Sequence, residues 1–107
     1  MTTGPDALFR TLADPTRRAL FEQLCREGEL TVTRLTEGAS VSQPAVSKHL
    51  GALRRAGLVL DRHEGRHTHY RANPEALGPL RDWTDEMTSF WERRIDALED
   101  LMKRMDR

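Results

Sequence analysis

The stretch that decides the fold is VSQPAVSKHLGALRRAGLVL, residues 41–60. Its opening predicts a helix start, because Ser42 can cap a helix and Pro44 falls in the first turn, where a missing N–H costs little. Apolar side chains then recur at spacings of four and three, which marks one buried helical face. These side chains are Val46, Leu50 and Leu53. Gly57 is a good helix terminator, so the pattern predicts a helix over residues 43–56.

Three shorter helices are predicted before this one. The first covers residues 6–13, and the second opens at Asp14, a typical N-cap, and ends at Gly28. The apolar residues that these two helices are expected to bury are Leu8, Phe9, Leu12, Ala19, Leu20 and Leu24. The third helix covers residues 31–37 and is separated from the helix of residues 43–56 by a short turn. A short helix, a turn and a second helix that opens with small polar residues form a helix-turn-helix, an arrangement that binds DNA.

After Gly57 the hydrophobic pattern changes from helical to alternating. Two strands are predicted, over residues 58–62 and 67–72, around a turn at Glu64-Gly65. Alternation directs three side chains toward the core, namely Leu58, Leu60 and Tyr70. A hairpin directly after a helix-turn-helix is the wing of a winged helix. The predicted fold class is therefore mainly α with a small β-hairpin wing.

A long helix closes the sequence. Residues 79–105 would span about 40 Å at 1.5 Å per residue, with apolar side chains along one face. Those predicted to contact a partner are Leu80, Trp83, Met87, Phe90, Trp91, Ile95 and Leu98. A 107-residue chain cannot easily bury such a stripe, which favours a two-fold partner helix over a helix folded back on its own core. We predict one domain, residues 1–107, with residues 79–105 as a dimerisation helix.

Composition excludes several classes of protein. The 107 residues carry 17 basic and 17 acidic side chains, spread along the chain, which argues against a disordered charged tail. The single cysteine excludes an internal disulfide, and no apolar run is long enough to span a membrane. There is no Ser-His-Asp order, catalytic carboxylate pair or Gly-rich phosphate loop. We expect a cytoplasmic protein that is not an enzyme and needs no cofactor.

The charge is unevenly distributed. Residues 39–72 carry six basic and two acidic side chains, whereas residues 1–38 carry five and six, and residues 73–107 six and nine. A basic middle favours a polyanionic partner, here double-stranded DNA, and a winged helix used only for protein contact would not need it. The residues predicted to bind DNA are Ser42, Gln43, Pro44, Ser47, Lys48, Arg54, Arg62, Arg66 and His67. Gln43 suits adenine or a phosphate, Lys48 suits guanine or a phosphate, and the wing-tip arginines suit the DNA backbone or the minor groove.

Three motifs occur in order along the chain. They are LADPTRR at residues 12–18, VSQPAVSKHL followed by LRRAGLV at residues 41–50 and 53–59, and EGR followed by YR at residues 64–66 and 70–71. Together they resemble the ArsR/SmtB family of bacterial winged-helix repressors, over roughly residues 7–100. The resemblance implies a homodimer built on the first and last helices, which adds Leu8 to the dimer contacts. It also implies an operator with two-fold symmetry near the chain's own promoter. It places His49 between the buried stripe and DNA, as a DNA-binding residue that packs on the body and contacts phosphate.

The sequence departs from that family at its metal sites. Metal sensors of the family carry Glu-Leu-Cys-Val-Cys in the third helix, where this sequence reads Glu-Leu-Thr-Val-Thr at residues 29–33. Hydroxyls are poor ligands for the soft or borderline metals that such sites bind. Residues 74–107 also hold no histidine for the family's second metal site. We predict a metal-independent autorepressor, and the alternative is a sensor of an unidentified metal or small-molecule inducer.

Three features leave further interpretations open. Cys25 could be a redox switch, but a lone helical cysteine is usually a small buried hydrophobe. The wing histidines His63, His67 and His69 could bind zinc, although such histidines more often meet phosphate. The tryptophans could line a ligand pocket at the dimer interface, although a core role is favoured.

Overall fold

The structure of this chain, a computed structural model, describes residues 5–106, so the predicted domain of residues 1–107 extends beyond the described part at both ends. The elements in chain order are α1 (Asp6–Leu12), α2 (Pro15–Glu27), β1 (Leu30–Thr31), α3 (Val32–Glu37), α4 (Gln43–Arg55), β2 (Val59–Glu64), β3 (His67–Ala72), a 3-10 turn (Pro74–Leu77) and α5 (Gly78–Met105). The predicted fold class, mainly α with a small β wing, is confirmed.

Side-chain caps start two of the helices where the sequence predicts them. Asp14 Oδ1 accepts a hydrogen bond from the Arg17 N–H at 3.0 Å. This bond holds the pKa of Asp14 below its ordinary value, because it stabilises the ionised carboxylate. Ser42 Oγ accepts from the Ala45 N–H at 3.4 Å and opens α4. Both caps supply acceptors to first-turn N–H groups that have no partner within the helix.

One apolar core holds the first part of the chain together. Its buried members are Leu8, Leu20, Phe21, Leu24, Leu35, Val46, Leu50, Leu53, Leu58 and Val59. They come from α1 to α4 and from the start of the hairpin, so these elements form one unit. We call residues 6–77 the body of the molecule.

The sheet contains a strand that the sequence did not predict. Its order is β1-β3-β2, and both pairings are antiparallel. β1 is only Leu30 and Thr31, opposite Tyr70 and His69, and two residues are too few to show an alternating pattern. This short strand places the residue that precedes it, Glu29, beside the hairpin.

The predicted core position of Leu60 is wrong. Leu60 is 40% exposed, whereas Leu58 and Val59 are both fully buried. Leu58 belongs to the end of α4 rather than to the strand, because its N–H donates to the Leu53 carbonyl while Gly57 adopts φ 79°. This is a Schellman cap, in which the residue after the glycine packs back on the helix. Strand alternation therefore begins at Val59, one residue later than the sequence predicted.

Three residues that the sequence placed in the core are exposed. Ala19 and Cys25 lie on either side of the face of α2 that is buried through Leu20, Phe21 and Leu24. Because successive helical residues differ by about 100°, Cys25 is turned away from the core although it follows a fully buried leucine. Phe9 is the third, and it turns outward from α1.

α5 differs from every other helix. It is 28 residues long, and each residue from Arg81 to Asp106 is exposed. Among the described residues, its first two turns contact the body, through Leu80 and through Trp83, which meets Phe9. The helix extends away from that contact and contributes to molecular dimensions of 74 × 30 × 20 Å.

Candidate nucleic-acid interface

The first two turns of α4 form a polar exposed surface. Val46, Leu50 and Leu53 are fully buried in the body, so the opposite face of the helix points outward. The predicted DNA-binding residues on that face are all exposed: Ser42, Gln43, Pro44, Ser47 and Lys48. Their amide, hydroxyl and ammonium groups include the donors and acceptors that read base edges and phosphates.

The wing is the hairpin of β2 and β3. Glu64 pairs with His67, so the connection is the two residues Gly65 and Arg66. Gly65 has φ 60°, a backbone conformation that favours glycine. Arg66 is exposed at the tip, and among residues 5–106 no carboxylate oxygen lies within 4 Å of its guanidinium. Its charge is available to a partner.

The structure brings α4, which is the second or recognition helix of the helix-turn-helix, and the wing together at one polar cleft. Gln43 and Ser47 lie on one side, and Arg66 and His67 lie on the other. The sequence predicted these four as DNA-binding residues, but it did not predict that they share a cleft. A single bound nucleic acid could contact all four.

Arg62 has a different environment from the one predicted. Its guanidinium contacts Glu29 Oε1 at 2.6 Å and Glu64 Oε2 at 2.8 Å. These bonds hold the pKa values of both carboxyls below their ordinary range and raise the pKa of Arg62. Arg62 is therefore paired within the chain rather than free for phosphate. The sequence did not suggest Glu29 as its partner, because the contact depends on the unpredicted strand β1.

Arg54 is also paired within the chain. Its guanidinium contacts Asp61 Oδ2 at 3.1 Å and so joins the last turn of α4 to β2. Asp61 also helps to raise the pKa of Tyr70, although burial of the phenol is the larger cause. We regard Arg54, like Arg62, as a residue that positions the wing.

His49 lies inside the packing of the body. The residue is half-buried, and its Nδ1 is buried with no hydrogen-bond partner among the described residues. The ring lies close enough to α2 for its charge to lower the pKa of Asp14, after the larger effect of the Arg17 N–H. The predicted phosphate contact for His49 does not fit this position, because His49 lies on the side of α4 that faces α2.

The other wing histidines do not converge on one point. His63 Nδ1 is 3.1 Å from Thr68 Oγ1, whereas His69 lies between Glu29 and Glu64 at 3.8 and 3.7 Å. Strand alternation places His63 on the face opposite to His67 and His69. Within residues 5–106 no group of three His, Cys, Asp or Glu side chains is arranged to hold a metal ion.

A second candidate surface is apolar. Phe9 meets Trp83 edge to face, with ring centroids 5.0 Å apart, and an exposed stripe continues along α5 from there. Its members are Met87, Phe90, Trp91, Ile95, Leu98, Leu101, Met102 and Met105. Leu8, which the family resemblance had placed in the dimer contacts, is only 5% exposed and belongs to the core of its own chain. Phe9, its neighbour, is the α1 residue that is exposed beside the stripe.

No helix among the described residues is both long and apolar enough to cross a bilayer.

Known proteins are similar to this chain in sequence and in fold. A family described as a helix-turn-helix domain matches residues 12–62. The arsenical resistance operon repressor of Escherichia coli is 46% identical over 94 residues, which are 88% of this chain and 80% of that protein. The arsenic resistance transcriptional regulator ArsR1 of Pseudomonas putida is 42% identical over 83 residues, 78% of this chain. The chain matches 62% of the length of that second relative.

A solved structure agrees over most of the chain. An ArsR-like transcriptional regulator from Rhodococcus sp. RHA1 matches with a TM-score of 0.75 and 30% identity, covering 90% of each chain. The match includes the helix-turn-helix and extends well beyond residues 12–62. Both the sequence relatives and the solved structure are consistent with a polar cleft that binds DNA. The chain belongs to the ArsR family of winged-helix, DNA-binding transcriptional regulators.

Proposed function

We propose that this protein is a homodimeric repressor that binds a two-fold symmetric DNA operator near its own promoter, requires no metal and catalyses no reaction. The observation that carries the proposal is the shared cleft of α4 and the wing. Gln43 and Ser47 of the recognition helix lie across it from Arg66, a cation without a carboxylate partner among residues 5–106. A helix that reads bases beside a cation that binds phosphate is what a winged helix needs on DNA.

The exposed side chains divide into two roles. Gln43 can form a bidentate contact with adenine, which confers base specificity. Lys48 and Arg66 carry charge, and they contribute affinity that depends little on sequence. Arg54 and Arg62 hold the wing through Asp61, Glu29 and Glu64 rather than binding phosphate. The residues proposed to bind DNA are therefore fewer than the sequence predicted, and they lie on α4 and at the wing tip.

The apolar stripe of α5 supports the homodimer. Trp91 is 64% exposed and Leu98 is 56% exposed in a single chain. Soluble monomers rarely expose a contiguous apolar patch of this length. A second copy of the chain would cover the patch with its own identical apolar stripe. Two recognition helices related by a two-fold axis would then meet two half-sites of a symmetric operator. In this proposal residues 79–105 are the dimerisation helix of a single winged-helix domain.

Metal independence rests on the chemistry at the start of α3. Thr31 and Thr33 offer hydroxyls, and Thr31 Oγ1 is already occupied as the α3 N-cap, accepting from the Arg34 N–H at 3.2 Å. Hydroxyls bind soft metals poorly. The names of the Escherichia coli and Pseudomonas putida relatives favour a second candidate, a sensor of an arsenic compound or another inducer. That candidate needs ligands other than the two threonines.

The proposal is tested by fluorescence anisotropy with DNA from just upstream of the gene. The labelled duplex is compared with a scrambled duplex at fixed salt, with and without a chelator and with and without arsenite. We expect the upstream duplex to bind about a thousandfold more tightly than the scramble, with no effect of either addition. Release of the duplex by arsenite would establish the sensor instead. Equal, weak binding of both duplexes would contradict autorepression.

A further inference from the structure

The cleft between the recognition helix and the wing has an unusual lining. Its volume is about 170 Å³, and it is bordered by β1, α3, α4 and the wing. α4 contributes Gln43 and Ser47, one turn apart, the first turn of α3 contributes Thr33, and the wing tip contributes Arg66. Thr33, Ser47 and Arg66 are all exposed, so their polar groups are open to a ligand.

The polar side chains around the cleft can all donate hydrogen bonds. Hydroxyls, an amide, the His67 imidazole and a guanidinium supply the donors, and no described residue that lines the cleft carries a carboxylate. Glu64, which is next to the wing turn, is not part of the lining and is held by Arg62 at 2.8 Å. A concave site that offers donors and one unpaired cation, without an acid, is suited to a tetrahedral oxyanion.

We propose that this cleft seats one backbone phosphate of the operator, held by Arg66 from the wing and by the hydroxyls of Thr33 and Ser47. The inference rests on the proposed function, because DNA is the source of the phosphate. A DNA strand that passes from the major groove under α4 toward the wing crosses the cleft. The seat would set the register of Gln43 on its base, since phosphate contacts position a protein and base contacts specify the sequence.

Thr33 distinguishes a specific phosphate site from general electrostatic attraction to DNA. It is uncharged, and nothing in the helix-turn-helix pattern marks it as a DNA contact. Thr31 is unsuitable for the test because its oxygen caps α3. Thr68 is unsuitable because its hydroxyl already pairs with His63 Nδ1 at 3.1 Å. Thr33→Val removes one hydroxyl while it keeps the side-chain shape.

The experiment first selects a tight duplex from a random pool with the unaltered protein. Each backbone phosphate of that duplex is then replaced, one at a time, by a neutral methylphosphonate. Affinities are measured for the unaltered protein, Thr33→Val, Arg66→Gln and a control, Thr36→Val. Thr36 lies in the same helix but does not line the cleft, and its hydroxyl donates to the Val32 carbonyl.

We expect Thr33→Val to weaken binding about fivefold and Arg66→Gln to reduce the salt slope by about one unit. One methylphosphonate position should weaken binding of the unaltered protein about tenfold, and Thr33→Val and Arg66→Gln should both lose most of that sensitivity, as coupled partners do. Thr36→Val should retain it.

Three results would overturn the proposal, and they are distinguishable. If no duplex is enriched from the pool, the proposed function itself fails. If a duplex is enriched but no phosphate position couples to both Thr33 and Arg66, the protein binds DNA but the cleft does not bind one specific phosphate. If inorganic phosphate, without DNA, shows saturable binding that Arg66→Gln abolishes, the cleft is a site for a free anion and not for the DNA backbone.

Discussion

The body buries most of its large apolar side chains, whereas α5 exposes most of its own to solvent. In the body, Leu50 and Leu53 are completely inaccessible to solvent, and their helix contacts α2, α3 and the wing. In α5, Trp91 and Leu98 are more than half exposed, and no described residue beyond its first turns is buried. Both helices show apolar residues at spacings of three and four. The same pattern thus builds an internal core in one helix and an exposed apolar stripe in the other.

The largest effect is expected from breaking the interface of α5. The double change Trp91→Ala and Leu98→Asp places a charge in the centre of the apolar stripe, so the dimer should dissociate. Operator affinity should fall about a thousandfold, toward the level of non-specific binding, because each monomer then holds one half-site. Sedimentation velocity and fluorescence anisotropy measure the two consequences. Asp100→Ala, on the opposite face of α5, is the matched control and should change neither. A double variant that still sediments as a dimer would assign the stripe another role.

The next prediction compares the loss of stability for a buried residue of the body with that for an exposed residue of α5. Leu50→Ala leaves a cavity in a fully buried site and should lower the free energy of unfolding by about 2–5 kcal/mol. Met102→Ala removes a side chain that is 57% exposed in the single chain. Its loss should appear only as weaker association at low protein concentration. Urea unfolding at two protein concentrations tests both variants, and a concentration-independent loss for Met102→Ala would argue for a monomer.

A smaller and more local effect is expected at the DNA surface of the body. Gln43→Ala should cost about 1–3 kcal/mol at one base pair of the operator and relax specificity there. Lys48→Ala should weaken operator and scrambled DNA alike and flatten the salt dependence. Affinity for operators with single base-pair changes, measured at several salt concentrations, distinguishes the two roles. If Gln43→Ala weakened all duplexes equally, it would be a phosphate contact.

The smallest effect is expected at the paired wing arginine. Arg62→Met removes a partner from Glu29 and Glu64, whose pKa values Arg62 holds below their ordinary range. A lowered pKa in the folded state adds stability that is present at neutral pH and disappears as pH falls through that pKa. The variant should therefore exchange the amides of β2 and β3 faster than the unaltered protein at pH 7, with the ratio approaching one in acid. The change should be modest because all three groups are well exposed to solvent. A ratio that stays constant with pH would mean that packing of the Arg62 stem is responsible.

Local signals predicted most of the body. The caps at Asp14 and Ser42 and the spacing of Val46, Leu50 and Leu53 depend on neighbours within one or two turns, and the structure confirms them. The sequence predictions are wrong where the backbone conformation at a helix end, or packing against distant residues, determines which side chains are buried. A Schellman cap moved the start of strand alternation past Leu58 and exposed Leu60. The rotation of α2 exposed Cys25, which sequence neighbours alone do not reveal.

The candidate site was predicted in composition but not in arrangement. The residues Gln43, Ser47 and Arg66 were predicted to contact DNA from their helix-turn-helix and wing positions, and the structure places them around one cleft. Sequence alone did not separate Arg66 from Arg62, because both are arginines of one hairpin. The difference depends on Glu29, which is 33 residues from Arg62 along the chain and reaches it through β1. A strand of two residues carries too little periodicity to be predicted.

The sequence by itself determined the helix-turn-helix, the wing and the long amphipathic last helix, because caps, glycines and hydrophobic periods act over a few residues. Only the tertiary structure decided which charges are paired, which side of α4 holds His49, and that Thr33 borders the same cleft as Arg66. Those relations join residues that are far apart in the chain, and their energies depend on distance and burial rather than on residue type.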